Sequence, residues 1–304
     1  MSQDSSGLRI QSRDIAILYE LTTMHAVTMH HIACLYFDKK YAAAYKRIAR
    51  LRNAGLIELR PGELGGQSAL LQITRSGYKV ICSYASTTVP WATIQRRHQR
   101  NRDAFLKHDL GIMDFKAVII PALAEYPDRR VETFTTKAAH LVAHKQTRDH
   151  GLGGRGLRPD AYTRIADGDQ WAHLFIEIDR GTEPQRTVQQ KAIVYRHRYR
   201  TGAFARSMHG TPSAPESAPF RVLFVCSSEE RRDNLANCLL DIVPPVLTQC
   251  WFATKKDVLS DPLGAIWLTP YALRVARKAE TMSAELTELF PEDKDKGGMK
   301  KDSP

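Results

Sequence analysis

Long apolar runs are missing from this 304-residue chain. None approaches the roughly 20 residues that a bilayer-spanning helix needs, so a transmembrane class is excluded and no membrane partner is expected. Cysteine is scarce: five residues (Cys34, Cys82, Cys226, Cys238, Cys250) lie far apart, with no short paired spacing. That pattern excludes a disulfide scaffold and a clustered zinc site, and it fits reduced thiols in a cytoplasmic protein. The opening stretch MSQDSSGLRIQSRD has no apolar core of a secretory signal. There is no internal repeat and no collagen-like glycine period. What is present is ordinary for a globular protein, with 43% hydrophobic and 25% charged residues. The length suggests two domains and a core large enough to need neither disulfide nor metal.

The net charge of +11 is concentrated. Between Lys39 and Arg102 stand thirteen basic residues and two acidic ones, Glu58 and Glu63, so this segment holds the whole excess and the rest is neutral. A local basic segment on a neutral chain is the footprint expected for a polyanion partner, although a solvated basic face has the same composition.

Local patterns favour the first reading. DIAILYELTTM places Ile15, Leu18, Tyr19 and Met24 at helical spacing, and Thr28 can cap a second helix over MHHIACLYF. A third helix runs from Lys39 to Ala54, with Gly55 as its stop. The strand-like pieces LIELR and ALLQIT follow, joined by the turn PGELGGQS. Three helices and a hairpin are the layout of a winged helix-turn-helix. On the third helix Ala44, Ile48 and Leu51 share one side, bordered by Tyr41, while Lys39, Ala43, Lys46 and Arg50 fall opposite. Lys39, Lys40, Lys46, Arg47 and Arg50 are therefore the expected contacts to duplex DNA, with Arg60 and Arg75 contributing from the wing region.

After Pro90 a basic helix is expected to pass into an apolar one through FLKHDLGIMDF, kinked or ended by Pro121. The second half alternates. RRVETFT, LRPDAYTRI, WAHLFIEID, RVLFVCS, LTQCWFA and IWLTP read as strands, and EPQRTVQQKAIVYRHRYR and EERRDNLANCLLDI as helices. The stretch from His209 to Phe220 reads as loop. The fold class is α/β: an N-terminal winged helix-turn-helix (1–90), a sheet domain (91–272), then a C-terminal helix and disordered polar tail (273–304).

The sheet domain carries the chemistry. If the turn between two of its strands is 167–170, Ala166 pairs with Trp171, and Asp160 falls directly opposite Glu177. Asp179, two residues on, shares that face. Asp160, Glu177 and Asp179 are thus candidate hard-oxygen ligands for Mg2+ or Mn2+. A one-residue slip in register would destroy the cluster. Ion pairing of these acids with Arg158, Arg164 and Arg180 is the alternative.

Pro159-Asp160 followed by Glu177-Ile178-Asp179 resembles the PD-(D/E)xK nuclease fold, in which Asp and Glu hold Mg2+ and Lys assists the attacking water. Asp179 stands where that family usually has Lys. In some members the Lys lies on the following helix, and Lys191 is then the candidate, making Asp160, Glu177, Asp179 and Lys191 the expected catalytic group. Without such a Lys the fold persists as an inactive binding module. More broadly, GLIELR, LQITRSGY, FLKHDLGIMDF, RPD and FIEIDRGTE, followed by Lys and Tyr in a helix, resemble the replication-relaxation proteins of bacterial plasmids and mobile elements over about residues 12–200. That resemblance implies a DNA-binding domain before a nuclease-like one, in a cytoplasmic, nucleoid- or plasmid-associated setting. It makes replication or relaxosome proteins, or a second copy of the chain, the candidate partners.

Other motifs read more plainly. GLGGRG (151–156) precedes a strand instead of joining strand to helix, so no nucleotide cofactor is expected. His140 and His144 have metal-ligand spacing but no third ligand, and no zinc is expected. His108 reads as a core histidine, with a pocket residue as the alternative that the family resemblance implies. Tyr195 and Tyr199 fit either packing or a DNA backbone. Three functions remain: a metal-dependent nicking or cleaving protein, a non-catalytic regulator or initiator-type scaffold, and a ligand-sensing repressor.

Overall fold

The computed structural model describes residues 8–60, 69–84, 89–99, 103–136, 157–211, 213–279 and 284–290. The loop at 61–68, His140 and His144, the glycine-rich 151–156 segment and the tail 291–304 lie outside the described residues.

The N-terminal unit begins with α1 (Ser12–Thr23), α2 (Met29–Tyr36) and α3 (Tyr41–Asn53). Thr28 caps α2 as expected: its Oγ1 accepts from His31 N at 3.4 Å, and His31 Nδ1 accepts from Thr28 N at 3.1 Å. α3 starts later than the sequence suggests because Asp38 and Lys39 are left-handed, with φ of 48° and 60°. It ends at Gly55, whose φ of 70° lets Leu56 N reach back to Leu51 O at 3.0 Å. β1 (Ile57–Arg60) and β2 (Leu70–Ile73) then pair antiparallel, Ile57 against Ile73 and Arg60 against Leu70. Ile17, Leu18, Ile32, Ala44, Ile48 and Leu51 are all at most 1% exposed and form the core of this unit. α4 (Arg75–Tyr84) closes it.

The expected single long helix after Pro90 is two, α5 (Trp91–His98) and α6 (Asp103–Ala124). The last turn of α5 holds Arg96 and Arg97, which suit the negative end of a helix. Pro121 does not end α6, which continues to Ala124. Its missing N–H forfeits one bond of the ladder, which the other turns of this 22-residue helix carry.

The sheet runs β3 (Arg129–Thr135), β4 (Ala161–Asp167), β5 (Gln170–Ile178), β6 (Phe220–Cys226) and β7 (Cys250–Thr254), in that spatial order. β3, β4 and β5 are antiparallel to one another, whereas β5, β6 and β7 are parallel. α7 (Gln185–Arg200) and α8 (Ala203–His209) connect β5 to β6, and α9 (Glu229–Cys238) connects β6 to β7. α10 (Lys255–Ser260) and α11 (Pro270–Lys278) follow. The IWLTP segment forms no strand: Trp267 and Leu268 make isolated bridges to Thr287 and Phe252. The stretch from His209 to Phe220 includes a short 3-10 turn, Pro215–Ser217.

Alternation on β5 sorts its residues between two cores. Leu174 and Ile176 pack with Ile112, Phe115 and Ile119 of α6, in a core continuous with that of the N-terminal unit. Phe175 packs on the other face with Val188, Ala192 and Tyr195 of α7. Glu177 and Asp179 follow Phe175 in phase.

Candidate nucleic-acid face and carboxylate site

α3 presents two opposed sides. Ala44, Ile48 and Leu51 are buried, while Ala43, Lys46 and Arg50 are exposed. Lys39 and Lys40 precede the helix and are exposed too, as is Arg75 at the start of α4. Tyr41 does not pack inward: it is 41% exposed, and its hydroxyl meets His30 Nδ1 at 2.7 Å. Arg47 departs from the expected set. Its Nε donates to Asp14 Oδ1 at 2.7 Å, and Asp14 is wholly buried. A buried carboxylate needs such a partner, so Arg47 is held inward between α1 and α3. Arg60 donates to the His98 carbonyl at 2.7 Å and ties β1 to α5.

The carboxylates are placed by strand register. Asp167 pairs with Gln170 and Ala166 with Trp171, as expected, and the ladder runs to Ala161 and Ile176. Asp160 extends it: its N–H donates to Ile176 O at 3.1 Å, and its Oδ2 accepts from Ile178 N at 2.7 Å. That brings it opposite Glu177.

Glu177 is 2% exposed. Tyr195 donates its hydroxyl to Oε1 at 2.7 Å, and Lys191 donates to Oε2 at 3.0 Å. Both donors stand on one side of α7, four residues apart. Lys191 also reaches Glu183 at 2.9 Å. Burial pushes the Glu177 carboxyl up to about 7, with the Asp160 charge adding to it and Lys191 and Tyr195 opposing. Burial pulls the Lys191 ammonium down, but the charges of Glu177, Glu183 and Asp160 outweigh it and hold the amine protonated.

On its other side Asp160 meets α6, where His108 Nε2 lies 3.0 Å from Oδ1. His108 is no plain core histidine. Burial disfavours its charge, yet Asp109 and Asp160 push it up to about 10. Asp109 in turn contacts His25 Nδ1 at 3.2 Å. Asp179 does not join Asp160 and Glu177 in an open cluster, because Arg231 of α9 engages both its oxygens at 2.8 and 3.0 Å. Among the cations that engage these acids are His108, Lys191 and Arg231. Arg164, one of the three arginines considered for that role, instead lies over the Trp171 ring at 4.4 Å.

Glu183, Tyr195 and Arg231 are partners that sequence reasoning did not assign to this site, and His108 was signalled only through the family resemblance, as a pocket residue.

The model of the family described as replication-relaxation matches residues 18–213. The chain belongs to the replication-relaxation family. No curated protein matches this sequence. A solved structure of the restriction endonuclease FokI bound to DNA is similar over 81% of this chain and 43% of that one, at 12% identity and a TM-score of 0.25. Among the described residues, no helix of this replication-relaxation protein is long and apolar enough to cross a membrane.

Its acids match a divalent cation in part. Among the described residues no three His, Cys, Asp or Glu side chains gather as a ready metal-ligand group. Mg2+, however, is commonly held by one or two carboxylates together with water and substrate phosphates. Asp160 and Glu177 supply such a pair of hard oxygen donors, and their mutual repulsion is what a cation would relieve. Asp179, closed off by Arg231, does not fit as a third ligand.

Proposed function

We propose that this replication-relaxation protein binds duplex DNA through the exposed side of α3 and acts on it at Asp160, Glu177 and Lys191. The observation that carries the reading is the opposition on α3 of exposed Lys46 and Arg50 to the buried Ala44–Ile48–Leu51 stripe. Small Ala43 among cations suits close approach to a groove. The setting is that of the family: plasmid or mobile-element DNA in the cytoplasm, alongside replication or relaxosome proteins.

At the carboxylates the reaction class is phosphodiester hydrolysis or nicking. Asp160 and Glu177 would hold Mg2+ or Mn2+, which supplies Lewis acidity toward a phosphate oxygen. Lys191, fixed in its charged form, steadies the negative charge developing on the attacked phosphate. Tyr195 fixes the Glu177 carboxylate by donating to Oε1.

A second reading, a DNA-binding scaffold without catalysis, draws on the protein cations that engage Asp160, Glu177 and Asp179. One experiment separates them. The full chain is incubated with supercoiled plasmid and Mg2+ or Mn2+, beside Asp160→Ala and Lys46→Ala/Arg50→Ala. Nicking by the wild type that Asp160→Ala abolishes, with DNA binding kept, is the expected result. Binding without nicking leaves the scaffold. Unchanged affinity in the α3 double variant overturns the DNA-binding face itself.

A further inference from the structure

The exposed side of α3 has an order of its own, beyond its opposition to the buried stripe. Ala42, Tyr45, Ala49 and Asn53 are all exposed, and a spacing of i, i+3, i+7 and i+11 puts them on one strip of the helix. At about 100° per residue the strip is about 80° wide, and it carries no charge. Lys46 and Arg50 lie along one border of it and Arg52 along the other. Unlike Arg47, which is held by Asp14, these three cations pair with no acid among the described residues.

Helix propensity explains an exposed alanine. It does not explain an exposed tyrosine between two of them. Tyr45 is 58% exposed, an aromatic is a poorer helix former, and its ring gains most by covering another surface. A groove of duplex DNA has the matching pattern, with two walls of phosphate and a floor of base edges. In the major groove each thymine adds a C5 methyl to that floor, and small apolar side chains such as alanine pack against it. An uncharged strip between two rows of cations can meet floor and walls together. Cations over the whole face would hold phosphates without distinguishing one sequence from another.

We infer that the Ala42–Tyr45–Ala49 strip reads DNA sequence, selecting duplex sites whose thymine methyls face the two alanines and are covered at the edge by the Tyr45 ring. The inference rests on the DNA-binding reading of α3 and is independent of nicking. It adds that the protein chooses its site. Lys46, Arg50 and Arg52 then supply the part of the affinity that is the same for every sequence.

Selection of bound duplexes from a random pool by the full chain tests it, followed by titration of the selected site. A consensus containing thymine should emerge. Replacing a consensus thymine by uracil removes only the methyl, and should weaken binding by about fourfold where that methyl faces the strip. Tyr45→Ala should fold normally, because the side chain is exposed, as thermal unfolding will verify. It should narrow the gap between the selected site and an unrelated duplex by about tenfold, and leave the salt dependence of binding as in the wild type. Tyr271→Ala, at a tyrosine of α11 that is 49% exposed, should change neither. Lys46→Ala/Arg50→Ala should do the reverse of Tyr45→Ala, weakening both duplexes alike. A wild type that binds duplex DNA but enriches no sequence overturns the inference and leaves the DNA-binding reading in place. A wild type that binds no duplex overturns both. Equal affinity for the thymine and uracil sites, or an unaltered preference in Tyr45→Ala, overturns the inference as well.

Discussion

Lys191 Nζ lies 3.0 Å from Glu177 Oε2, joining the middle of α7 to the end of β5 at a carboxylate that is 2% exposed. The two residues stand on different elements, and each favours the charged form of the other. A carboxylate that deep requires a cation, and a half-buried amine beside three acids keeps its proton.

Removing one partner should therefore cost more than removing both. Lys191→Met is expected to destabilise the protein by about 3 kcal/mol, the scale for an abandoned buried charge. Glu177→Gln/Lys191→Met should lose markedly less. Urea unfolding of the two variants measures the difference, and equal losses would mean that the pairing contributes nothing.

Arg47 and its neighbours on α3 should separate stability from DNA affinity. Arg47→Ala strands the wholly buried Asp14 and should cost about 3 kcal/mol in unfolding free energy. Lys46→Ala/Arg50→Ala should leave the melting temperature unchanged. In DNA titrations over a range of salt, it should flatten the logarithmic slope by about two units. A steep slope retained by the double variant counts against the α3 face.

Acid should weaken the sheet domain through His173. This buried ring meets the Tyr162 hydroxyl at 2.6 Å, and burial, with Arg164 and His209 adding to it, pushes its pKa down to about 4. Below about 6.5 the unfolded chain takes up the proton first, so stability present at neutral pH is lost as pH falls from about 6.5 toward 4, by on the order of 3 kcal/mol. His98, lowered to about 4 by burial beside Arg60 and Arg97, contributes a slope of the same sign. Tyr162→Phe/His173→Phe should remove the His173 part alone, seen as a shallower fall in unfolding free energy across that window.

Gly77→Ala tests the packing of α4 against the hairpin. Alanine favours a helix by about 1 kcal/mol over glycine. Here, though, the added Cβ would lie 2.2 Å from the Leu56 carbonyl oxygen, which is backbone and cannot swing away. A net loss of roughly 1–2 kcal/mol is expected, since overpacking costs about 1–3 kcal/mol. A neutral or stabilising change in thermal unfolding would show that β1 and α4 can separate freely.

Much of this architecture was legible in local chemistry. Thr28 before an apolar run, Gly55 after a periodic one and the 167–170 turn each fix a boundary or a register within a few residues, and the register alone puts Asp160 opposite Glu177. The buried stripe on α3 follows from a period of 3.6 in the same way. Tertiary structure decided the partners. Arg47 and Arg50 are equally basic in the sequence, yet only Arg47 lies over a buried acid. Asp179 shares its strand face with Glu177, yet α9 brings Arg231 to the first and α7 brings Lys191 to the second. His108 is held charged by its neighbour Asp109 together with Asp160, fifty-two positions along the chain. Periodicity reports which way a side chain faces. What it faces depends on how elements far apart in the chain pack, and the ionisation of a buried group is set by that neighbour.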